Sequence, residues 1–297
     1  MQFLQAVING FGQGAIYALL ALGFVMIYKA TRVISFAQPS LMVIGGLIAY
    51  HMTQVFDLPF FPGLVIAFIG GAIAGLIVER LALRPMIGKP VFVLAIITIG
   101  VDTVLRIIAN RYIGVESRIV QYPHGRERIT IGGIGFSQTT LGLVAITALC
   151  VLALAIFFRY SRYGLAMRAT ALDQETALAQ GIRVGMMFAM AWAIAGGLAA
   201  IAGTFVAAGN AGLEQTSWII ALKALPAIII GGLDSLPGAV VGGLSVGIIE
   251  ALTATYQPGV APWLGANFSL VAPYALMFIV LLVRPYGLFG TKEVERV

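Results

Sequence analysis

Phe3-Leu-Gln-Ala-Val-Ile-Asn-Gly-Phe-Gly-Gln-Gly-Ala-Ile-Tyr-Ala-Leu-Leu-Ala-Leu-Gly-Phe-Val-Met-Ile-Tyr28 runs for 26 residues without a charged side chain. An α-helix rises about 1.5 Å per residue and needs about 20 apolar residues to cross the hydrocarbon of a bilayer, so this stretch can span a membrane. No basic residue precedes it and no small-residue cleavage pattern follows it, so it reads as a mature span rather than a cleaved signal peptide. The rest of the chain repeats the pattern. Of 297 residues, 60% are hydrophobic and only 10% charged, with mean hydropathy +0.99. A soluble domain carries about a quarter charged residues, so this composition excludes an ordinary soluble enzyme and a disordered chain alike.

Windows of about 20 residues place nine candidate spans, over residues 3–28, 36–53, 60–83, 91–109, 139–158, 186–208, 218–230, 238–256 and 268–283. The second and seventh are short and interrupted by Pro39 and Pro226, which marks both as candidates for broken or re-entrant helices. The expected fold is an all-α membrane protein, a polytopic bundle of about 8–9 transmembrane helices forming one domain over residues 1–297. Alternating the nine spans gathers twelve basic residues on one side, among them Lys29, Arg32, Arg84, Arg159, Arg168 and Arg284, against Arg111, Arg118, Arg126 and Arg128 on the other. The positive-inside rule makes the first side, and the C-terminus, cytoplasmic.

The net charge of +6 and pI near 9.6 are absorbed by that asymmetry, so they do not call for nucleic acid. One cysteine, Cys150, cannot form an internal disulfide, and His51 and His124 alone supply no set of soft ligands for zinc or copper. No metal site and no cofactor are expected in the chain.

Two loops are long. The outer one, residues 111–137, contains an arm over 117–123, a His124-Gly125 turn signal and a second arm over 127–132, which reads as a small β-hairpin. The inner one, residues 159–185, mixes charges with helix formers and ends at Gly181; a short helix, a turn and a second short helix starting near Asp173 and Glu175 fit it.

Polar residues inside spans are costly, so each is a site candidate. Gln13 and Tyr17 lie four apart on one helix face, and Gln38-Pro39-Ser40 sets an amide and a hydroxyl beside a helix break. Asp102 and Arg106, also four apart, can neutralise each other as a structural ion pair. Lys223 and Glu250 can pair, or each can reach an interface on its own. Gly10-x3-Gly14, Gly71-x3-Gly75, Gly238-x3-Gly242 and Gly243-x3-Gly247 put bare faces on helices, a packing signal that static bundles and sliding gates share. The phosphate-loop and zinc-protease signatures are missing: Gly88-Lys89 is followed by Pro90 rather than Ser or Thr, and the chain has no HExxH. No catalytic residue is expected, and ATP cannot be hydrolysed through a phosphate loop of this chain.

Five stretches carry a likeness: Asn9-Gly-Phe-Gly-Gln-Gly-Ala-Ile-Tyr-Ala-Leu19, Val33-Ile-Ser-Phe-Ala-Gln38, Arg168-Ala-Thr through Gly181-Ile182, Lys223-Ala-Leu-Pro-Ala-Ile-Ile-Ile-Gly-Gly-Leu-Asp-Ser-Leu-Pro-Gly238 and Arg284-Pro-Tyr-Gly-Leu-Phe-Gly290. With them the chain resembles the LivH-type permease subunits of branched-chain amino-acid ABC transporters. The resemblance implies an ATP-driven importer working by alternating access in the cell membrane. It implies a second homologous permease subunit, two cytoplasmic ATPase subunits that hold ATP and Mg, and an external substrate-binding protein. It implies that Arg168, Ala169, Asp173, Glu175, Thr176, Ala177, Gly181 and Ile182 form the segment coupled to the ATPase. Gln13, Tyr17, Phe36, Gln38, Pro39, Thr98 and Lys223 are the candidate pathway residues. The family's usual Asn-Phe-Ala-His-Gly is Ser35-Phe36-Ala37-Gln38-Pro39 here, a departure that bears on the solute more than on the fold. Spans rich in Leu, Ile, Phe and Gly suit a neutral or zwitterionic solute, a branched-chain or other hydrophobic amino acid. Urea and short amides, solutes of related permeases, remain alternatives, as does a stand-alone secondary transporter or channel.

Overall fold

The computed structural model describes residues 2–86, 89–123, 128–131, 134–265 and 267–291. Within them lie α1 (Gln2–Thr31), α2 (Gln38–Tyr50), α3 (Phe60–Val78), α4 (Val91–Ile113), α5 (Gln138–Tyr160), α6 (Arg162–Leu172), α7 (Gln174–Ala179), α8 (Val184–Ala208), α9 (Trp218–Leu222), α10 (Ala224–Gly231), α11 (Leu236–Val260) and α12 (Ala272–Val283), with strands β1 (Arg128–Ile131) and β2 (Ile134–Ser137). Six helices are long and apolar enough to cross a membrane: α1, α3 with its continuation to Met86, α4, α5, α8 and α11. The α9–α10 pair and the segment ending in α12 are shorter apolar helices, and a π-helical turn over His51–Val55 lengthens α2. Proline sets several starts. Pro59 and Pro90 stand just ahead of α3 and α4, and Pro39 lies in the first turn of α2, where a missing N–H breaks no helical bond.

The longest helix is also the most enclosed. In its most apolar stretch α1 is 83% buried, against 22% for α4 and for α5. It packs on α11 and α8, and the predicted glycine pairs make this possible. A methyl added at Gly14 would come within 2.8 Å of the Leu244 backbone, and one at Gly247 within 2.2 Å of the Gly14 nitrogen. Gly71 and Gly75 meet Gly196 and Trp192 across α3 and α8 in the same way. Backbones this close leave no room for a side chain, so dispersion between helix surfaces holds the bundle where lipid removes most of the hydrophobic drive.

The tail after α12 folds back on the end of α10. The Leu288 and Phe289 N–H groups donate to the carbonyls of Ile230 and Gly231 at 2.8 and 3.0 Å, satisfying helix-end acceptors that would otherwise be orphaned. Gly287, at φ +78°, makes the turn that lets them do so.

The hairpin forms at a different place from the one the sequence indicated. β1 (residues 128–131) pairs antiparallel with β2 (residues 134–137), Ile131 opposite Ile134, rather than with the arm over 117–123. His124, Gly125, Arg126, Glu127, Gly132 and Gly133 lie outside the described residues. The arm over 117–123 pairs instead with the segment after α8: Arg118 and Leu213 exchange backbone bonds of 2.9 and 2.8 Å, and Val120 N–H donates to Ala207 at 3.0 Å. Leu213 and Val120 are fully buried there, an apolar anchor that the alternative arm pairing would forfeit.

Candidate functional site

Of the two spans marked for a break, the one at Pro226 is interrupted at Lys223, whereas the one at Pro39 starts there and runs on as helix to Val55; an ion pair stands beside each of these points. After α1 the chain runs unwound over residues 32–37, and α2 begins in the interior at Gln38. Its exposed N–H groups are met by α4. Thr98 Oγ1 accepts from the Phe36 N–H at 2.9 Å and donates to the Ala95 carbonyl at 2.7 Å; one turn on, Asp102 Oδ1 accepts from the Ser40 N–H at 3.0 Å. A carboxylate at a helix N-terminus suits both the free N–H groups and the helix dipole. The charge is balanced one turn further, where Arg106 Nη2 lies 3.2 Å from Asp102 Oδ2 and its guanidinium sits 4.1 Å from the Trp218 ring centroid at the start of α9. Thr98, Asp102 and Arg106 thus form one polar stripe on α4 that ties down the start of α2 and the start of α9. The expected Asp102–Arg106 pair is present, and it does more than neutralise itself.

Gln38 is fully buried. Its Nε2 donates to the Ala195 carbonyl of α8 at 3.1 Å, while its Oε1 has no partner among the described residues. Gly23 of α1 makes the space, since a methyl there would stand 2.1 Å from Gln38 Nε2. Pro39 is buried beside it and Phe36 half-buried.

The interruption at Lys223 lies between α9 and α10, three residues ahead of Pro226. Lys223 Nζ is 2.5 Å from Glu250 Oε1 of α11, and Tyr17 Oη of α1 donates to Glu250 Oε2 at 2.6 Å. Glu250 and Tyr17 are buried, and the Lys223 side chain is 11% exposed. Three helices therefore meet on one carboxylate with both oxygens engaged, so the two alternatives for Lys223 and Glu250 resolve to pairing. Gln13 does not join them. Tyr17 turns onto α11, whereas Gln13 lines a cavity of about 650 Å³ between α1, β2 and the start of α5.

Residues 159–185 form the helix-turn-helix expected of them. Asp173 ends α6 and caps α7: its Oδ1 accepts from the Glu175 and Thr176 N–H groups at 2.9 and 3.1 Å, and its Oδ2 accepts from Thr176 Oγ1 at 2.7 Å. Gly181, at φ +82°, closes α7, with its own N–H on the Leu178 carbonyl and the Ile182 N–H on that of Ala177, the paired pattern of a left-handed helix stop. Ala177 is buried and Ile182 half-buried within the chain itself; Arg168 and Glu175 are exposed, and Ala169 is half-buried. Leu165, Leu172 and Leu178 are the large aliphatic side chains open to solvent on this segment, beside the exposed rings of Tyr160 and Tyr163. Arg32, at the unwound end of α1, donates to the Ala171 carbonyl from Nε and Nη2 at 3.2 and 3.1 Å, joining this segment to the chain that leads into α2.

One buried acid escaped the sequence reading. Glu79 is 1% exposed and lies 3.1 Å from Arg84 Nε, while Arg84 Nη2 donates to the Gly185 carbonyl at 2.9 Å. The five-residue spacing fits a π-helical turn, which Glu79–Leu83 forms, and not the four-residue rule applied elsewhere.

Residues 6–281 match the family described as "Branched-chain amino acid transport system / permease component". The chain is 33% identical over 314 residues to the high-affinity branched-chain amino acid transport system permease protein LivH of Salmonella typhimurium, covering 100% of this chain and 98% of that protein. It is 33% identical over 316 residues to LivH of Escherichia coli K12, with the same coverage. Among solved structures, PsaBC from Streptococcus pneumoniae in complex with Fab shares its fold, with a TM-score of 0.51 at 13% identity over 94% of this chain and 91% of that one. A match over nearly the whole length, in a chain whose apolar helices, helix breaks and glycine faces form one bundle, identifies it as a multi-pass membrane protein of the branched-chain amino acid transport system permease family.

Proposed function

We propose that the chain is the membrane-spanning permease subunit of an ATP-driven importer of branched-chain amino acids. The observation that carries this is the whole-length likeness to permeases named for that transport. In this reading the hairpin end faces outward and receives solute from an external binding protein, and α6–α7 faces the cytoplasm. ATP and Mg reside on two partner ATPase subunits, and a second homologous permease completes the pathway.

Arg168, Asp173, Glu175, Leu172 and Leu178 offer the ATPases a mixed polar and apolar surface, and Gly181 and the Asp173 cap hold that surface in shape. Gln38, with an unmet carbonyl oxygen at the start of α2, and the Lys223–Glu250 pair beside the break at α10 are where the pathway changes shape. Motion of α6–α7 is transmitted through Arg32 to the unwound residues 32–37 and thence to α2. Such a drive works only where ATP-bound partners bind one conformation better than the other.

Co-expression with the ATPases, second permease and binding protein encoded beside it tests the reading. A complex that co-purifies and takes up radiolabelled leucine into proteoliposomes only with ATP inside the partner compartment and binding protein outside is expected. Uptake by this chain alone, without nucleotide, would overturn it in favour of a secondary transporter.

A further inference from the structure

The geometry points to the cavity beneath the hairpin as the place where the solute first binds this subunit, held by Asn9, Gln13, Thr140 and Asn210. The inference rests on the importer reading and adds to it a location, a ligand orientation and a set of selecting residues.

Gln5, Asn9 and Gln13 follow one another at intervals of four along α1 and all line the cavity, which measures about 650 Å³. Thr140 of α5 and Asn210, just past α8, face them across it. The side chains of Gln13, Thr140 and Asn210 have no hydrogen-bond partner among the described residues, and Asn9 only accepts, from Gln5 Nε2 at 3.2 Å. Asn9, Gln13 and Asn210 are exposed and Thr140 is half-buried, so the cavity is open at this end and their donors and acceptors are available to water or a polar solute in the space they border.

The opposite end of the cavity is apolar. Ile16, Leu143 and Phe205 form it, and Phe205 is held by edge-on contacts with Phe60 and a tilted contact with Tyr122, at centroid distances of 5.6 and 6.5 Å. A polar mouth over an apolar floor matches a small molecule that is polar at one end and hydrocarbon at the other. Among the described residues the lining contains no charged side chain, so a lysine or glutamate side chain would meet no countercharge from them. A zwitterion brings its own balance. Its carboxylate suits the first turn of α5, whose leading N–H groups receive no side-chain cap from Ser137, and its ammonium suits the carboxamide oxygens of Asn9 and Gln13. The cavity and its unpartnered amides carry the assignment; the α5 terminus only orients the ligand.

The hairpin, which leads directly into α5, is also tied to α1 by one side chain. Gln5 Nε2 donates to the Gly135 carbonyl at 2.9 Å and its Oε1 accepts from the Gly135 N–H at 3.0 Å, so this carboxamide pairs with β2 as a neighbouring strand would.

The test uses the assembled transporter in nanodiscs, with Cys150→Ser as background, and a small membrane-impermeant methanethiosulfonate reagent applied from the hairpin side. Cysteines placed by Asn9→Cys, Gln13→Cys and Asn210→Cys are expected to react and to be protected by millimolar leucine but not by equal lysine or glutamate. Phe11→Cys, which lies outside this cavity, is expected to gain no protection. Adding Gln13→Leu to the Asn210→Cys complex removes one hydrogen-bonding partner and should raise the half-protecting leucine concentration about five- to tenfold. Three results would overturn the inference: reaction rates at these positions that leucine leaves unchanged in a complex that still transports it, cysteines that do not react because another subunit fills the space, or equal protection by lysine. Leucine uptake by the unmodified complex is measured in parallel, and its absence would count against the importer reading itself.

Discussion

Glu250 is where single residues matter most. Its carboxylate accepts from Tyr17 and pairs with Lys223, so α1, α11 and the α9–α10 break share one buried charge. Removing one partner of a buried pair leaves the other uncompensated, typically at about 3–5 kcal/mol. Lys223→Met alone and Glu250→Gln alone are therefore each expected to lower the melting temperature of the purified complex sharply, while the double variant Lys223→Met/Glu250→Gln recovers most of the loss. A thermal-shift double-mutant cycle measures this, and additive losses would show that the two side chains do not act as a pair. Sequence spacing made Asp102–Arg106 legible because both lie on one helix, four residues apart. Lys223–Glu250 is 27 residues apart and Tyr17–Glu250 is 233 apart, so no local rule could choose between pairing and separate fates.

At the scale of an element, α6–α7 is built to keep one shape. Asp173→Ala removes the cap of α7 and should destabilise that helix by about 0.5–2 kcal/mol; Gly181→Ala places a side chain at φ +82° and should cost about 1 kcal/mol more than at an ordinary position. Faster amide hydrogen exchange confined to residues 174–182 checks both. Glu175 is exposed and only its backbone N–H is engaged, so Glu175→Ala should leave exchange unchanged and lower solute-stimulated ATPase activity of the complex. Unchanged stimulation in both Glu175→Ala and Gly181→Ala would remove this segment from the coupling path. The two-helix form was readable from Asp173, Glu175 and Gly181, because caps and stops are local chemistry. The hairpin was misplaced by several residues because its arm over 117–123 answers to Leu213 and Ala207, which are distant in sequence.

For the whole molecule, two consequences follow. The contact of α1 with α11 depends on bare backbone: a side chain at 247 would meet the Gly14 nitrogen at 2.2 Å and the Gly10 carbonyl oxygen at 2.4 Å. Gly247→Leu must push the helices apart and should abolish a monodisperse, folded complex on size-exclusion chromatography, whereas Gly100→Leu, with open space around its position, should not. The charge asymmetry also predicts an orientation. In a Cys150→Ser background, a cysteine at Ser137 is expected to react with an impermeant thiol reagent on intact cells, and one at Leu172 only after the membrane is opened. Reversed accessibility would invert the placement of binding protein and ATPases.

The chain's apolar runs, prolines, glycines and caps are local properties, and they determined by themselves that this is a membrane bundle, roughly where its helices start and stop, and that the span holding Pro226 is interrupted. What only the tertiary structure decided is which of the few polar groups meet. Gln13 and Tyr17 share a spacing that puts them on one face, yet one lines a polar cavity and the other bonds to Glu250; Glu79 finds Arg84 through a π-helical turn that no four-residue rule anticipates. The physical reason is that hydrogen bonds and charges in a low-dielectric interior must be satisfied by whichever partner packing brings within about 3 Å, and packing is set by helix faces far apart in the chain.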